Sequence, residues 1–361
     1  MARVLARLAL VLLALGLLVV VALRQPAVQD RLMERVIAST LAGSRVAPRD
    51  GALTAVLCGS SGPLPHATRA GPCVAVGAGG RWFVVDVGRG SANRAALLGL
   101  DLSRVAGVLL THFHSDHIQE LGEWNLQTWV AGRAAPLRVF GPPGVDGVVA
   151  GFEQAYALDA GYRTLHHGAD LLPPDVGRME AHALDGPAAG AGQQVVLDED
   201  GLRITAFAVN HDPVRPAYGY RFDFGGRSVV VSGDTARDPR VREAARGADV
   251  LFHEAQANHI VARIGAAAAA AGRPRIAKIM SDIPDYHTSP VEAAELANEA
   301  GVKLLVLYHL TPPPPVALAE RTYVRGVDAA RDGDWRLGQD GLQVVLPEGG
   351  DAVEVEQLDS R

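Results

Sequence analysis

The chain has 361 residues, and 48% of them are hydrophobic, which is enough for one large domain with a full core or for two ordinary domains. Its formal net charge is −6, and only two of its 34 basic residues are lysines, Lys278 and Lys303. This composition lacks the basic footprint of a nucleic-acid-binding protein, so it argues against that class.

The N-terminus predicts a membrane segment. Leu8 to Leu23 is an apolar run without a break, and the residues from Val4 extend it to about 20, roughly the length that a bilayer requires. Arg3 and Arg7 precede the run, which favours a globular part that faces the periplasm or the exterior. We predict residues 1–26 to be an anchor, because no clear A-x-A cleavage site follows; a signal segment that is cleaved to release a secreted protein is the alternative.

Residues 27–50 predict an amphipathic helix that continues into a polar linker, since Val28, Leu32 and Val36 recur every four residues. The globular domain is predicted over 51–361, and its first strands are Ala55–Leu57 and Cys73–Val76. Cys58 and Cys73 are the only cysteines of the sequence. They are either a disulfide, which an oxidising compartment would allow, or two small buried residues on neighbouring strands.

Strands and helices then alternate. A buried strand at 108–111 is followed by a helix at 118–130 and a strand at 137–140, whereas residues 145–200 show no clear pattern. Further strands are predicted at 204–209, 218–224, 228–231, 250–252 and 303–308, and further helices at 255–271 and from the capping box of Ser289 and Glu292 to Gly301. Antiparallel runs first and β-α alternation later indicate an α/β fold with two sheets covered by helices.

The most informative motif is the run H-x-H-x-D-H, in which His112, His114, Asp116 and His117 crowd four metal-capable side chains into six residues. Imidazole and carboxylate are the ligand types that zinc prefers where no thiolate is offered. The apolar strand before the run would hold its backbone in place. The motif therefore predicts a metallohydrolase.

Other predicted strands also end at titratable side chains. His211, Asp234, the pair His253 and Glu254, and His309 each follow an apolar strand, as His112 does. Ligand sites of α/β sheets lie at the carboxyl ends of strands, so we expect these side chains to converge on one site.

With these residues in view, the sequence resembles the metallo-β-lactamase superfamily, and within it the ribonuclease Z/arylsulfatase-like branch. Besides the H-x-H-x-D-H run, the resemblance rests on residues 57–65 (LCGSSGPLP), 141–144 (GPPG), 233–235 (GDT), 253–255 (HEA) and 286–289 (YHTS). It spans roughly residues 53–347. It implies a four-layer αββα sandwich, here preceded by an N-terminal transmembrane helix.

The resemblance also implies roles for single residues. Two Zn²⁺ ions would be held, the first by His112, His114 and His211, the second by Asp116, His117 and His309, with Asp234 as the bridge. Asp116, His287 and Glu254 would be catalytic: Glu254 orients His287, and His287 stabilises charge on the substrate or protonates the leaving oxygen. Manganese or iron also suits such ligands. Asp86 is a candidate hydrogen-bond partner of one ligand histidine.

The expected substrate is a small ester of the aryl sulfate or phosphodiester type, cleaved outside the cytoplasm by metal-bound hydroxide. Residues 151–200 carry nine acidic residues and two arginines where the tRNA-processing enzymes carry a basic arm, and the Ser-x-Arg segment of those enzymes is replaced by Leu310-Thr311-Pro312 after His309. Nucleic acid is therefore expected not to be a partner, whereas a homodimer is possible. The alternatives are a β-lactamase or lactonase, a ribonuclease Z-like tRNA 3′ endonuclease, and a tethered binding protein without turnover.

Overall fold

The structure, a computed structural model, describes residues 2–42, 45–186 and 192–359, and the chain divides into two units between Arg45 and Val46. The first unit contains the helices α1 (Ala2–Leu23) and α2 (Pro26–Ala42). In α1 the stretch Arg3–Leu23 has exposed side chains and is long and apolar enough to cross a membrane. That criterion concerns length and composition only, and a signal sequence also meets it.

Two sheets form the second unit. Their strands are β1 (Ala52–Gly59), β2 (Cys73–Ala78), β3 (Arg81–Val85), β4 (Val105–Leu109), β5 (Leu137–Gly141), β6 (Met179–Ala183), β7 (Gln193–Glu199), β8 (Leu202–His211), β9 (Val214–Phe224), β10 (Arg227–Val231), β11 (Val250–Gln256), β12 (Leu304–Thr311), β13 (Asp334–Leu337), β14 (Leu342–Pro347) and β15 (Glu354–Gln357). The first sheet has the order β15-β14-β1-β2-β3-β4-β5-β6 and the second the order β13-β12-β11-β10-β9-β8-β7. Strands β3 to β6 run parallel, as do β10 to β13, and the other neighbours pair antiparallel.

Helices cover the outer faces of both sheets. The helices of this unit are α3 (Ser91–Leu97), α4 (Ser115–Ile118), α5 (Leu121–Val130), α6 (Val145–His167), α7 (Pro239–Ala244), α8 (Asn258–Ala270), α9 (Pro274–Asp282), α10 (Pro290–Glu299), α11 (Ala317–Tyr323) and α12 (Val327–Ala330). Apolar side chains of α3, α5 and α6 pack on the first sheet, and those of α7, α10, α11 and α12 pack on the second. A third apolar cluster fills the space between the sheets. The predicted αββα sandwich is confirmed.

Strand β1 illustrates why a continuous apolar run forms a central strand. Leu53 and Leu57 lie in the cluster between the sheets, whereas Val56 and Cys58 lie in the cluster under the helices. Successive side chains of a strand point to opposite faces, so a strand buried on both faces is apolar throughout.

The segment that the sequence left without a pattern, residues 145–200, is mostly regular. Helix α6 packs on the first sheet through Val145 and Val149, β6 extends that sheet at its edge, and β7 forms an edge of the second sheet. The segment thus belongs to the body of the sandwich and does not form a separate arm, apart from residues 187–191, which lie outside the described residues.

Cys58 on β1 and Cys73 on β2 form a disulfide, and both are fully buried. The loop between them returns to the second sheet, where the backbone N–H of Gly62 donates to the carbonyl of Leu310 (3.2 Å). Of the two interpretations left open by the sequence, the structure has the disulfide, and it anchors a loop that contacts the end of β12.

Candidate metal centre

Both sheets supply side chains to one cluster at their edge. His112 and His114 follow β4, and Asp116 and His117 lie on the short helix α4. From the second sheet, His211 ends β8, Asp234 follows β10, and His309 lies near the end of β12. The strand-end positions that the sequence indicated are therefore brought to one place.

One carboxylate oxygen lies at the middle of this cluster. From Oδ2 of Asp234 the distance to Nε2 is 3.3 Å for His117, 3.4 Å for His309, 3.9 Å for His211 and 4.0 Å for His112. The ligand-type atoms form groups whose members lie within 4.8 Å of one another: His112, His114, His211 and Asp234 in one, and Asp116, His117 and His309 in another. A third group shares members with these and consists of Asp234, His287 and His309. The first two groups match the two ligand sets that the resemblance implied, with Asp234 between them.

Burial makes the cluster suitable for metal ions. His112, His117 and His309 are fully buried, and Oδ1 of Asp234 is buried without a hydrogen-bond partner in the described residues. Burial lowers the pKa of His112, which keeps its imidazole neutral and able to act as a ligand. Although burial alone would raise it, the imidazoles of His309 and His117 hold the pKa of Asp234 well below its usual range. A buried carboxylate oxygen without a hydrogen-bond partner, beside the imidazoles of this cluster, fits a divalent metal ion such as zinc.

Behind the cluster, Asp86 fixes the orientation of a predicted ligand. Its carboxylate accepts from Nδ1 of His117 (2.8 Å), from the backbone N–H of Thr111 (2.9 Å) and from the Thr111 hydroxyl. The Nδ1 proton of His117 is thereby directed to Asp86, which leaves Nε2 free at the side of Asp234. The structure thus places Asp86 where a partner of a ligand histidine belongs.

A second carboxylate–imidazole pair borders the cluster. Oε1 of Glu254 lies 3.0 Å from Nδ1 of His287 and also accepts the backbone N–H of Thr288 and of Thr235. The His287 ring lies 5.7 Å from the ring of His309. Burial alone would lower the pKa of His287, but the negative charge of Glu254 raises it to about 8. Nε2 is the nitrogen that remains for a substrate.

Two further residues at this site had no role in the sequence interpretation. The Thr111 hydroxyl lies 3.0 Å from Nδ1 of His112 as well as bonding Asp86, and the backbone carbonyl of Tyr286 accepts from Nδ1 of His211 (3.0 Å). The Tyr286 ring lies 4.8 Å from that of His211. The only sequence signal for either is adjacency, because each directly precedes a predicted functional histidine.

Three other side chains with polar or aromatic groups lie outside the cluster. His253 is fully buried, and its Nδ1 lies against the carbonyl of Glu254, so it is a core residue. Trp124 is fully buried and donates to the Ser91 hydroxyl, which leaves packing as its role. His66 lies 3.2 Å from the carbonyl of Pro314 in a surface loop.

Comparison with known proteins decides the family. The family described as the beta-lactamase superfamily domain matches residues 81–310, which is more than half of the chain. The chain belongs to the beta-lactamase superfamily. A ribonuclease Z from Mycobacterium bovis (strain BCG / Pasteur 1173P2) is 40% identical over 263 residues, which cover 72% of this chain and 86% of that protein. A ribonuclease Z from Mycobacterium marinum (strain ATCC BAA-535 / M) is 38% identical over 284 residues, which cover 78% of this chain and 89% of that protein.

A solved structure supports the same fold. Human tRNase Z, short form, superposes with a TM-score of 0.54 and 18% identity, over 71% of this chain and 92% of the human chain. At that identity the likeness concerns the fold alone. The sequence relatives identify this beta-lactamase superfamily member as a metal-dependent hydrolase of ester bonds in the ribonuclease Z branch.

These relatives contradict the predicted function. The sequence led us to expect a small aryl sulfate or phosphodiester as the substrate, cleaved outside the cytoplasm, but the superfamily relatives that match most of the chain are named ribonuclease Z. The expectation that nucleic acid is not a partner is wrong for the same reason.

The error came from the charge of residues 151–200. Several of these acids pair with arginines of the sandwich: Glu199 with Arg81 and Arg138, and Asp198 with Arg203. Because the segment forms helix α6 and edge strands, its net charge does not describe a substrate-binding arm. The N-terminal helix remains apolar enough to span a membrane, and a location facing the periplasm finds no support in the relatives.

Proposed function

We propose that the chain is a ribonuclease Z-like endonuclease that hydrolyses a phosphodiester bond near the 3′ end of a tRNA precursor. The observation that carries the proposal is the buried cluster of five histidines and two aspartates, bordered by the Glu254–His287 pair. The relatives named ribonuclease Z support the same substrate, because the alignment covers 86% of the length of one of them.

The proposed ligands are those that adjoin in the structure. His112, His114 and His211 would hold one zinc ion and Asp116, His117 and His309 the other, with Asp234 shared between them. Bound there, two zinc ions would supply a nucleophile at neutral pH and stabilise charge on the phosphoryl oxygens. Hydrogen bonds fix the orientation of two of these imidazole rings: Asp86 orients His117, and the carbonyl of Tyr286 orients His211.

His287 is proposed to handle the proton of the leaving oxygen. Its Nδ1 donates to Glu254, whose Oε1 is itself held by two backbone N–H groups, so the ring cannot rotate without breaking that bond. Nε2 is then the atom that donates to the ribose oxygen as the phosphodiester opens. Hydrolysis of a phosphodiester makes this step useful, because an alkoxide is a poor leaving group at neutral pH.

The test is cleavage of a tRNA precursor that carries a 3′ trailer. The zinc-loaded full chain in detergent should cut it at one position near the end of the acceptor stem, and Asp234→Ala should lose both zinc and cleavage. Asp101→Ala is the matched control, because that carboxylate lies before the start of β4 and far from the cluster at the strand's other end. The proposal fails if the zinc-loaded chain leaves the precursor intact or if Asp234→Ala still cuts it.

We further propose that α1 anchors the enzyme to a membrane. Its length and composition suit a bilayer, and its side chains are exposed over Arg3–Leu23. The full chain should then sediment with membranes and resist extraction at high pH, whereas a chain without residues 2–24 should not. Recovery of the full chain in the soluble fraction would contradict the anchor.

A further inference from the structure

An exposed helical hairpin rises next to the candidate metal centre. It consists of α8 and α9, residues 258–282, and in sequence it lies between Glu254 and His287. At its base, Nε2 of Gln256 donates to the carbonyl of Ile283 (3.1 Å), and the backbone N–H of Gln256 donates to Thr288 (2.8 Å). The hairpin is therefore fixed to the segment that carries His287.

The two helices pack on each other through small residues. A Cβ placed on Gly265 would lie 3.2 Å from Cβ of Met280, so the helices approach closely there. Met280, Val261 and Ala268 are buried, whereas most other side chains of the hairpin are exposed. The sequence predicted one helix over 255–271; the structure has instead a strand to Gln256 and then the two helices.

The charge of this hairpin is opposite to that of the whole chain. Residues 258–286 hold four basic residues against two acidic ones, Asp282 and Asp285, in a protein of formal net charge −6. Lys278 pairs with Asp282. Arg263, Arg273 and Arg275 are exposed, and in the described part of the chain none of them has an ion pair or a side-chain hydrogen bond. Other exposed arginines, such as Arg49, Arg203 and Arg246, each pair with a carboxylate, whereas Arg321 and Arg325 are, like the hairpin arginines, exposed without an ion pair in the described residues.

The unpaired arginines are spread along the hairpin away from its base. At 1.5 Å per residue, Arg275 lies about 10 Å along α9 from Asp282, Arg263 lies about 8 Å from the start of α8, and Arg273 lies in the turn between the two helices. Phosphates of one strand of a duplex recur every ~3.4 Å of axis, so these distances span several of them. Arginine forms bidentate bonds to phosphate oxygens, and unpaired guanidinium groups are free to do so.

From these observations we propose that the α8–α9 hairpin is the surface that holds the RNA backbone of the substrate, through Arg263, Arg273 and Arg275. The inference rests on the proposed RNA substrate. It also accounts for how a chain with a net negative charge binds a polyanion, because positive charge is concentrated on a hairpin whose base is bonded to the segment that carries His287.

The first experiment measures binding of a fluorescent tRNA transcript to the zinc-loaded full chain in detergent, from about 50 to about 200 mM salt. If the three arginines each neutralise one phosphate, the slope of log K against log salt falls by about 2.7 in the variant R263Q/R273Q/R275Q. Over that fourfold range of salt, wild-type binding should then weaken about 40-fold more than binding by the variant. R263K/R273K/R275K keeps the charges and should retain most of the salt dependence.

The matched control is R49Q/R203Q/R246Q. It removes the same charge, and its residues lie near the starts of β1, β8 and β11, away from the ends that reach the cluster. It should bind tRNA like the wild type. Zinc content and thermal melting establish that each variant is folded. The hairpin inference is overturned if R263Q/R273Q/R275Q and this control show the same affinity and slope.

A second experiment separates RNA from an anionic membrane as the partner. Trypsin cuts after arginine except before proline, and Pro274 follows Arg273, so cleavage after Arg263 and Arg275 reports the accessibility of the hairpin in the full chain reconstituted in phosphatidylcholine vesicles. Added tRNA should slow these cuts. Protection by phosphatidylglycerol vesicles, with none by tRNA, would overturn the inference. If the wild type cuts the precursor but tRNA does not protect the hairpin from trypsin, the inference about the hairpin is refuted and the proposed function stands. If the wild type neither cuts the precursor nor binds tRNA, the proposed function is refuted as well.

Discussion

Replacing Asp86 by asparagine tests whether the cluster binds metal through correctly oriented imidazoles. Asparagine has nearly the same shape and tolerates the left-handed backbone that Asp86 adopts, with φ of 58°. The amide oxygen of the asparagine can still accept the hydrogen bond from Thr111. Its NH₂ group then faces Nδ1 of His117, in place of the carboxylate oxygen that accepts a hydrogen bond from this nitrogen over 2.8 Å in the wild type.

Two donors cannot face each other, so His117 should move its proton to Nε2. That atom lies 3.3 Å from Oδ2 of Asp234 in the proposed ligand cluster, and once protonated it has no lone pair for a metal. Loss of such a supporting hydrogen bond typically costs 10–100-fold in metal affinity, which is about 1.4 to 2.7 kcal/mol. Because His117 belongs to only one of the two groups, we expect one class of zinc site to weaken and the other to change less.

Competition with a chromophoric zinc chelator measures both affinities directly, without recourse to activity. Asp101→Asn makes the same chemical change at a carboxylate away from the cluster and should leave both affinities as in the wild type. Equal zinc affinities for Asp86→Asn and the wild type would refute the reasoning that this carboxylate sets the tautomer of the ligand.

Three further predictions concern catalysis, stability and packing. Glu254→Gln should retain zinc but reduce the turnover of a tRNA precursor by about 10²–10⁴-fold, since the proton-handling histidine loses its charged partner; unchanged turnover under saturating substrate would contradict this. Asp249→Asn breaks a buried arginine pair and should lower the unfolding free energy by about 3–5 kcal/mol in urea titrations. The arginine and lysine bonds lower the pKa of Asp249 despite its burial, so this difference should be full at neutral pH and shrink as the pH falls through the folded pKa. Gly88→Ala should weaken zinc binding, because its Cβ would lie 2.6 Å from the carbonyl oxygen of Asp116, whereas Gly147→Ala, with nothing within 4 Å, should not; zinc titration of both variants decides it.

The sequence predicted which titratable side chains the fold brings together, because the signals for them are local. The H-x-H-x-D-H run, and strands that end at His211, Asp234 and His309, depend on short apolar runs followed by a polar side chain. Those are patterns that neighbouring residues determine. The fold class followed from the order of strands and helices and from the resemblance to the metallo-β-lactamase superfamily.

The substrate was mispredicted because it depended on pairing across the fold. The charge of residues 151–200 was counted without Arg81 and Arg138, which neutralise Glu199 from more than 60 residues away in sequence. Similarly, the sequence did not predict the α8–α9 hairpin. Helix α9 is short, begins at Pro274, and buries a side chain only where it packs on α8. Net charge along the sequence does not report which charges remain unpaired in space.

The two-sheet origin of the cluster couples its ligands to the folding of the whole domain. His117 and His309, whose Nε2 atoms lie 3.3 Å apart, are separated by 192 residues in sequence. In an unfolded chain these donors are dispersed, so an ion that binds the native arrangement stabilises the folded state by mass action, by about 4 kcal/mol at a free concentration a thousand times its Kd. Bound metal ions would then stabilise the packing of the two sheets on each other. For the same reason, a core substitution that destabilises the fold would lower the apparent metal affinity, even where it contacts no ligand.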